Sequence, residues 1–98
     1  MRISKSDIFF IQDVFQKVFK KGEVYLFGSR VDDTQKGGDI DLFIITENMY
    51  NTLEKKLDFL ILLKQKIGDQ KIDLIISRDK TRLIEHEALT KGIKLCKI

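Results

Sequence analysis

Asp39 and Asp41 stand one residue apart at the head of DIDLFII, a segment otherwise apolar and β-branched. Aspartate is depleted in strands, and a charge drawn into an apolar element is costly unless it is paired or holds a metal. Side chains alternate along a strand, so the two carboxylates share one face while Ile40, Leu42 and Ile44 occupy the other. With a rise of ~3.3 Å per residue their backbones sit roughly 6.5–7 Å apart. From there two carboxylates can converge on cations spaced ~3.5–4 Å apart. Asp73 repeats the pattern as the only charge within IDLII. If its strand lies beside that of Asp41, the three carboxylates form one cluster. A donor set of three carboxylates, with no histidine or thiolate, suits a hard cation, Mg²⁺ above all. The plainer reading of Asp39 and Asp41 is a polar strand end, solvated or capping loop amides.

A second element shifts the balance toward chemistry. The run EVYLFGS ends in Gly28 and Ser29. Glycine at a strand end permits a tight turn and close approach of a ligand to the backbone. The amides that follow, at the start of a helical turn, are a natural site for phosphate. The Ser29 hydroxyl can donate to a phosphate oxygen, and Arg30 adds a positive charge beside it. The spacing of a Walker loop is absent. Gly37 and Gly38 would let the intervening loop fold back and deliver Asp39 to the same place.

The elements that must position these residues follow from periodicity. Ser4, with Asp7 three residues on, opens a helix carrying Ile8, Ile11, Phe15, Val18 and Phe19 at helical spacing, and Gly22 follows its end. EVYLFGS and DIDLFIIT read as strands one and two, joined by a polar loop over 30–38 with no hairpin signal. Thr46 or Asn48 would cap a long helix with Leu53, Leu57, Leu60, Ile61 and Ile67 on its buried stripe; Gly68 ends it. Phe59, Leu62 and Leu63 lie off that stripe, so the unbroken run FLILL is either widely buried or a docking patch for another chain. KIDLIIS is a third strand, Asp79 would cap a last helix containing Leu83, Ile84 and Leu89, and IKLCKI is a short fourth strand. The order is α-β-β-α-β-α-β. Strands two and three flank a helix, so parallel pairing is expected. The fold class is α/β (α+β): a small mixed sheet with helices packed on one face.

Composition narrows the partners. The 98 residues are 43% hydrophobic and carry a net charge of +3. They suffice for one domain, 1–98, but a chain this short buries roughly 60–70% of its unfolded surface and has little left for a deep, self-contained acceptor pocket. No apolar run approaches the ~20 residues of a membrane span. The N-terminal stretch has Asp7 within it and no small-residue cleavage site, unlike a signal peptide. Cys96 is the only cysteine and His86 the only histidine, which leaves no internal disulfide framework and no Cys/His zinc site. A cytoplasmic protein is expected. The lysines are dispersed, without the arginine-rich or aromatic-interleaved stripe of a nucleic-acid groove, so nucleic acid is not an expected partner. His86, Glu85 and Glu87 are expected to be solvated, and Cys96 to be a small core side chain.

Gly-Ser, nine residues, D-x-D on a strand and a further Asp on a later strand together resemble the nucleotidyltransferases of the DNA polymerase β superfamily. The likeness is greatest to the minimal nucleotidyltransferase (MNT) group, small proteins paired with HEPN partners in prokaryotic toxin–antitoxin modules. It extends to the closing EHEALTKGIKL. The resemblance implies a polymerase β palm-like fold and transfer of a nucleoside monophosphate from a nucleoside triphosphate to a hydroxyl. Asp39 and Asp41 would hold Mg²⁺, two ions in all. Asp73 would help bind the second ion and assist deprotonation of the acceptor. Gly28, Ser29 and Arg30 would bind the phosphates of ATP. The acceptor implied is a tyrosine of a cognate HEPN ribonuclease toxin, neutralised by AMP transfer. Two alternatives stand beside this: an antitoxin that neutralises its partner by contact alone, and a small-molecule or RNA-end nucleotidyltransferase whose acceptor site is split across a homodimer.

Overall fold

The computed structural model describes residues 3–28, 31, 39–46, 49–78 and 83–98. Helix α1 (Lys5–Val18) leads into strand β1 (Glu23–Phe27) and strand β2 (Ile40–Ile45). Helix α2 (Thr52–Ile67), strand β3 (Ile72–Ile76), helix α3 (Leu83–Lys91) and strand β4 (Ile93–Lys97) follow. This is the expected order. Ser4 caps α1 as expected, its hydroxyl accepting from the Asp7 amide at 3.0 Å. The strands form one sheet in the order β3-β2-β1-β4. β1 runs antiparallel to β2 and β4, and β2 runs parallel to β3 across the α2 crossover. β1 and β2, consecutive in the chain, thus pair antiparallel although the sequence between them gave no hairpin signal.

Alternation divides the sheet into two chemically different faces. Val24, Leu26, Ile40, Leu42, Ile44, Ile72 and Leu74 point to one side and pack against Ile11, Val14 and Phe15 of α1 and Phe59 and Leu63 of α2. Phe19, just beyond α1, stacks on Phe15 and meets Phe59 at 5.9 Å between ring centroids. The opposite side carries Phe27, Phe43, Tyr25, Ile45 and Ile75, against which Ala88 and Leu89 of α3 pack. The two long helices thus share one face as expected, and α3 is the exception, lying on the other. Asp41 and Asp73 belong to that second face by alternation.

Three expectations about the helices are corrected. The buried stripe of α2 is Phe59 and Leu63, both fully enclosed, with Leu60, Leu62 and Ile67 partly covered. Leu53, Leu57 and Ile61, placed on the core side by the sequence, are exposed. The helix is rotated from the expected phase, and Phe59–Leu63 is not a free docking patch. Its first residue is also later than expected. Asn51, in the left-handed region at φ 53°, takes the N-cap position without a side-chain cap, whereas Thr46 is buried at the end of β2. Glu85, expected in solvent, is wholly buried. Its carboxylate accepts from the Ser77 hydroxyl at 2.8 Å and the Arg78 amide at 3.2 Å, tying the end of β3 to α3. Asn48 and Asp79, the other expected caps, lie outside the described residues.

The rotation of α2 makes an unequal prediction for two neighbouring apolar residues. Phe59→Ala should cost about 3–5 kcal/mol, from lost burial and the cavity left behind. Leu57→Ala should stay within about 0.5 kcal/mol. Urea unfolding of both variants measures the difference; equal losses would restore the phase expected from sequence.

Candidate functional site

The site rests on one register. Parallel pairing of β2 with β3 sets Asp41 directly beside Asp73, and antiparallel pairing of β1 with β2 sets Phe27 beside Asp41. Three strands thereby bring the end of β1 and two carboxylates to one place on the α3 face. Side chains of neighbouring strands in such positions are in contact distance, so the Asp41 and Asp73 carboxyls face one another. Asp39, just before β2, is half-buried on the same side by alternation. Its carboxylate makes an ion pair with Lys71 at 3.6 Å.

Electrostatics mark Asp41 as the strained member. Burial, and then the negative charges of Asp73 and Asp39, push its carboxyl above its ordinary value, and Lys71 opposes the rise. Concentrated like charge on a half-buried carboxylate is what a divalent cation relieves. An all-oxygen donor set fits a hard ion such as Mg²⁺. Among the described residues no three acidic, histidine or cysteine side chains are gathered closely enough to hold an ion; Asp39 is engaged with Lys71.

Gly28 closes the other side. It sits at φ +77°, and a Cβ built there would collide with Oδ2 of Asp41. The backbone at the end of β1 is therefore packed directly against the carboxylate. A turn follows, with the Val31 amide donating to the Gly28 carbonyl at 3.2 Å. Ser29 and Arg30, the other expected phosphate-binding residues, lie outside the described residues. Asp41 and Asp73 open onto a cleft of about 580 Å³, lined also by Phe27, Ile75, Ile84 and Lys56.

The sequence reading gave no role to three residues now at or beside this site. Lys71 had a signal: two residues before Asp73, it falls on the same side of the chain by alternation. Lys56 had none, because its approach to the cleft depends on how α2 packs. Glu85, which secures the end of the Asp73 strand, was hidden among the charges flanking it.

Residues 10–98 match the protein family described as "Polymerase beta, Nucleotidyltransferase". No curated protein matches the chain. Solved structures share the fold at low identity. One, described as the toxin–antitoxin MntA–HpeT in a mutant form, superposes with a TM-score of 0.75 at 19% identity, over 93% of this chain and 73% of that one. A second, described as a tri-AMPylated Shewanella oneidensis HEPN toxin in complex with MNT antitoxin, gives 0.71 at 19% identity, over 94% and 71%. A further Shewanella oneidensis structure gives 0.73 at 14% identity, over 98% and 74%. Among the described residues no helix is long and apolar enough to cross a membrane.

The raised Asp41 has a consequence for stability. A carboxyl that titrates higher in the folded than in the unfolded chain favours folding fully below the unfolded value, near pH 4, and that contribution is lost as pH rises through the folded value. Asp41→Asn stays neutral throughout. In metal-free buffer it should match the wild-type Tm near pH 4 and exceed it at pH 7. Calorimetry across that range checks it; a variant less stable than wild type at pH 7 would contradict the charge assignment.

Proposed function

Since the chain belongs to the polymerase beta nucleotidyltransferase family, we propose that it transfers AMP from ATP, with Mg²⁺, to a hydroxyl on a separate protein, a tyrosine of a cognate HEPN ribonuclease toxin, and acts as that toxin's antitoxin. The carrying observation is the pairing of Asp41 with Asp73 across parallel strands, with the Gly28 backbone against the Asp41 carboxylate. The fold shared with an MNT antitoxin bound to an AMPylated HEPN toxin supports the choice of acceptor.

Each residue has a part in this reading. Asp41 and Asp73, joined by Asp39 once it leaves Lys71, would hold Mg²⁺, which would neutralise charge on the triphosphate and on the leaving pyrophosphate. Gly28 offers its amide to a β- or γ-phosphate oxygen without a side chain in the way, Ser29 donates its hydroxyl to the same phosphates, and Arg30 adds charge beside them. The acceptor oxygen forms a bond to the α-phosphorus, the bond to the pyrophosphate oxygen breaks, and Asp73 takes the hydroxyl proton. The cleft beside the carboxylates is open, so the acceptor arrives on another molecule.

The decisive experiment incubates the chain with ATP labelled at the α-phosphate, Mg²⁺ and the product of the adjacent gene, and locates the label by mass spectrometry. AMP on a partner tyrosine is expected. Inhibition of the partner without label would point to neutralisation by contact, and label on RNA or a small molecule to the split-site enzyme. Asp41→Asn and Asp73→Asn should each reduce transfer by at least about 100-fold, the scale of losing a group used in the transition state. In the same buffer Mg²⁺ should raise the wild-type Tm and leave that of Asp41→Asn unmoved.

Gly28→Ala offers a sharper check on the phosphate end. It forces a side chain into the left-handed region, at a cost of about 1–2 kcal/mol, and into the Asp41 carboxylate. Transfer should fall at least about tenfold. Gly68→Ala is the control: φ is also positive, at +86°, but a Cβ there meets nothing within 4 Å. It should lose only stability, about 1–3 kcal/mol, and keep full transfer.

A further inference from the structure

Lys71 completes a block of four charges on the parallel pair. The register sets Asp41 beside Asp73, and one step before it begins the Ile40 amide donates to the Lys71 carbonyl at 2.9 Å. Asp39 and Lys71 are therefore neighbours across the mouth of the pair, each two residues before a carboxylate on the same face. The inner rung sets like charges together, which opposes pairing, and the outer rung sets opposite charges together, which favours it. The outer rung is closed: Lys71 Nζ lies 3.6 Å from Oδ2 of Asp39.

The pair bears on the inner rung. Among the described residues Asp39 is the one of the three carboxylates engaged in an ion pair. Lys71 is also the cation whose charge is felt at Asp41, lowering the carboxyl that Asp73 and Asp39 raise. Lys56 lines the cleft from α2, and Arg30 and Lys36 lie outside the described residues. The backbone around Lys71 is fastened on both sides. Its carbonyl is held by Ile40, and the Gln70 side chain before it donates to Asp7 and to the Ile67 carbonyl, each at 3.2 Å. The Lys71 side chain is by contrast 71% exposed. An exposed ion pair of this kind is weak, so a side-chain rotation is enough to release Asp39.

We propose that Lys71 is a positioning residue that withholds Asp39 from the carboxylate pair, so that Asp39 joins Asp41 and Asp73 around a divalent cation only by giving up its ion pair with Lys71. Lys71 thereby sets how tightly the chain takes up the ion while standing outside its donor set. This rests on the reading that the three carboxylates hold Mg²⁺. It also accounts for the observation that no three donors are gathered as the described residues stand.

The test titrates the full chain with Mn²⁺, which suits the same oxygen donors, and reads the free ion by electron paramagnetic resonance. It is run without nucleotide and at low ionic strength, where exposed charges are least screened. Lys71→Met should tighten Mn²⁺ binding about fivefold, the scale of one exposed ion pair. Lys71→Gln should do the same, and Lys71→Arg, which keeps the pair, should bind no more tightly than wild type. In an Asp39→Asn background the gain from Lys71→Met should shrink below about twofold, since the carboxylate that Lys71 holds is gone. Unfolding curves confirm that each variant is folded. An undiminished gain in that background would overturn the proposal, by showing that Lys71 acts through its charge alone. So would Mn²⁺ affinity in Lys71→Met and Lys71→Gln at or below that of wild type. If neither wild type nor variants bind Mn²⁺, with or without ATP, the reading of the carboxylates as a metal site falls and this inference with it.

Discussion

Two carboxylates held side by side on neighbouring strands are the constraint from which the rest of this structure follows. Like charges directly opposite in a sheet oppose strand pairing, so the register that joins Asp41 to Asp73 must be imposed by something stronger. It is imposed from the other face. Ile40, Leu42, Ile44, Ile72 and Leu74, which alternate with the carboxylates, are buried under α1 and α2. A slip of one residue between β2 and β3 would turn this whole apolar set to the opposite side. The cost of hydrating it exceeds the repulsion of one carboxylate pair. The charge pair is thus a passenger of the core, and burial, then the charges of Asp73 and Asp39, hold the Asp41 carboxyl above its ordinary value.

The same logic explains how so short a chain builds a site. A parallel pair requires a crossover, and α2 provides it while supplying Phe59 and Leu63 to the core. The antiparallel return of β1 then brings Gly28 against Asp41 without a further element. α3 is anchored below through Ala88, and Glu85 bonds back to the end of β3. Each element that positions the carboxylates also contributes a buried group, so the site is a by-product of the same contacts that stabilise the fold.

Much of this was legible in the sequence, and what was not has a physical reason. The carboxylate face was readable because strand alternation is rigid: Asp39, Asp41 and Asp73 stand out against β-branched neighbours whatever the tertiary context. Parallel pairing followed from the intervening helix. The phase of α2 was not readable. Leu53, Leu57, Leu60 and Ile61 make as good a stripe as Phe59, Leu60 and Leu63, and only the shape of the sheet and the ring of Phe19 select the second. Glu85 was hidden because its partners, Ser77 and the Arg78 amide, come from a turn that local sequence does not describe. The β1–β2 pairing was not readable because residues 30–38 offer no two-residue turn signal, only dispersed Asp32, Asp33, Gly37 and Gly38.

The misread helix phase is also where structure and function part company. A helix that had only to stabilise the sheet would carry polar residues opposite Phe59 and Leu63, since exposed aliphatic side chains contribute little to folding and invite association. α2 instead carries an aliphatic ridge on its outer side and charged residues along the ridge's margins. The fold gains nothing from this arrangement. The ridge belongs to the helix that crosses over to β3, the edge strand opposite the one that carries Lys94, Lys97 and a bulge. One edge of the sheet is thus guarded, and the other, beside the carboxylates, carries no lysine within the strand and no register shift.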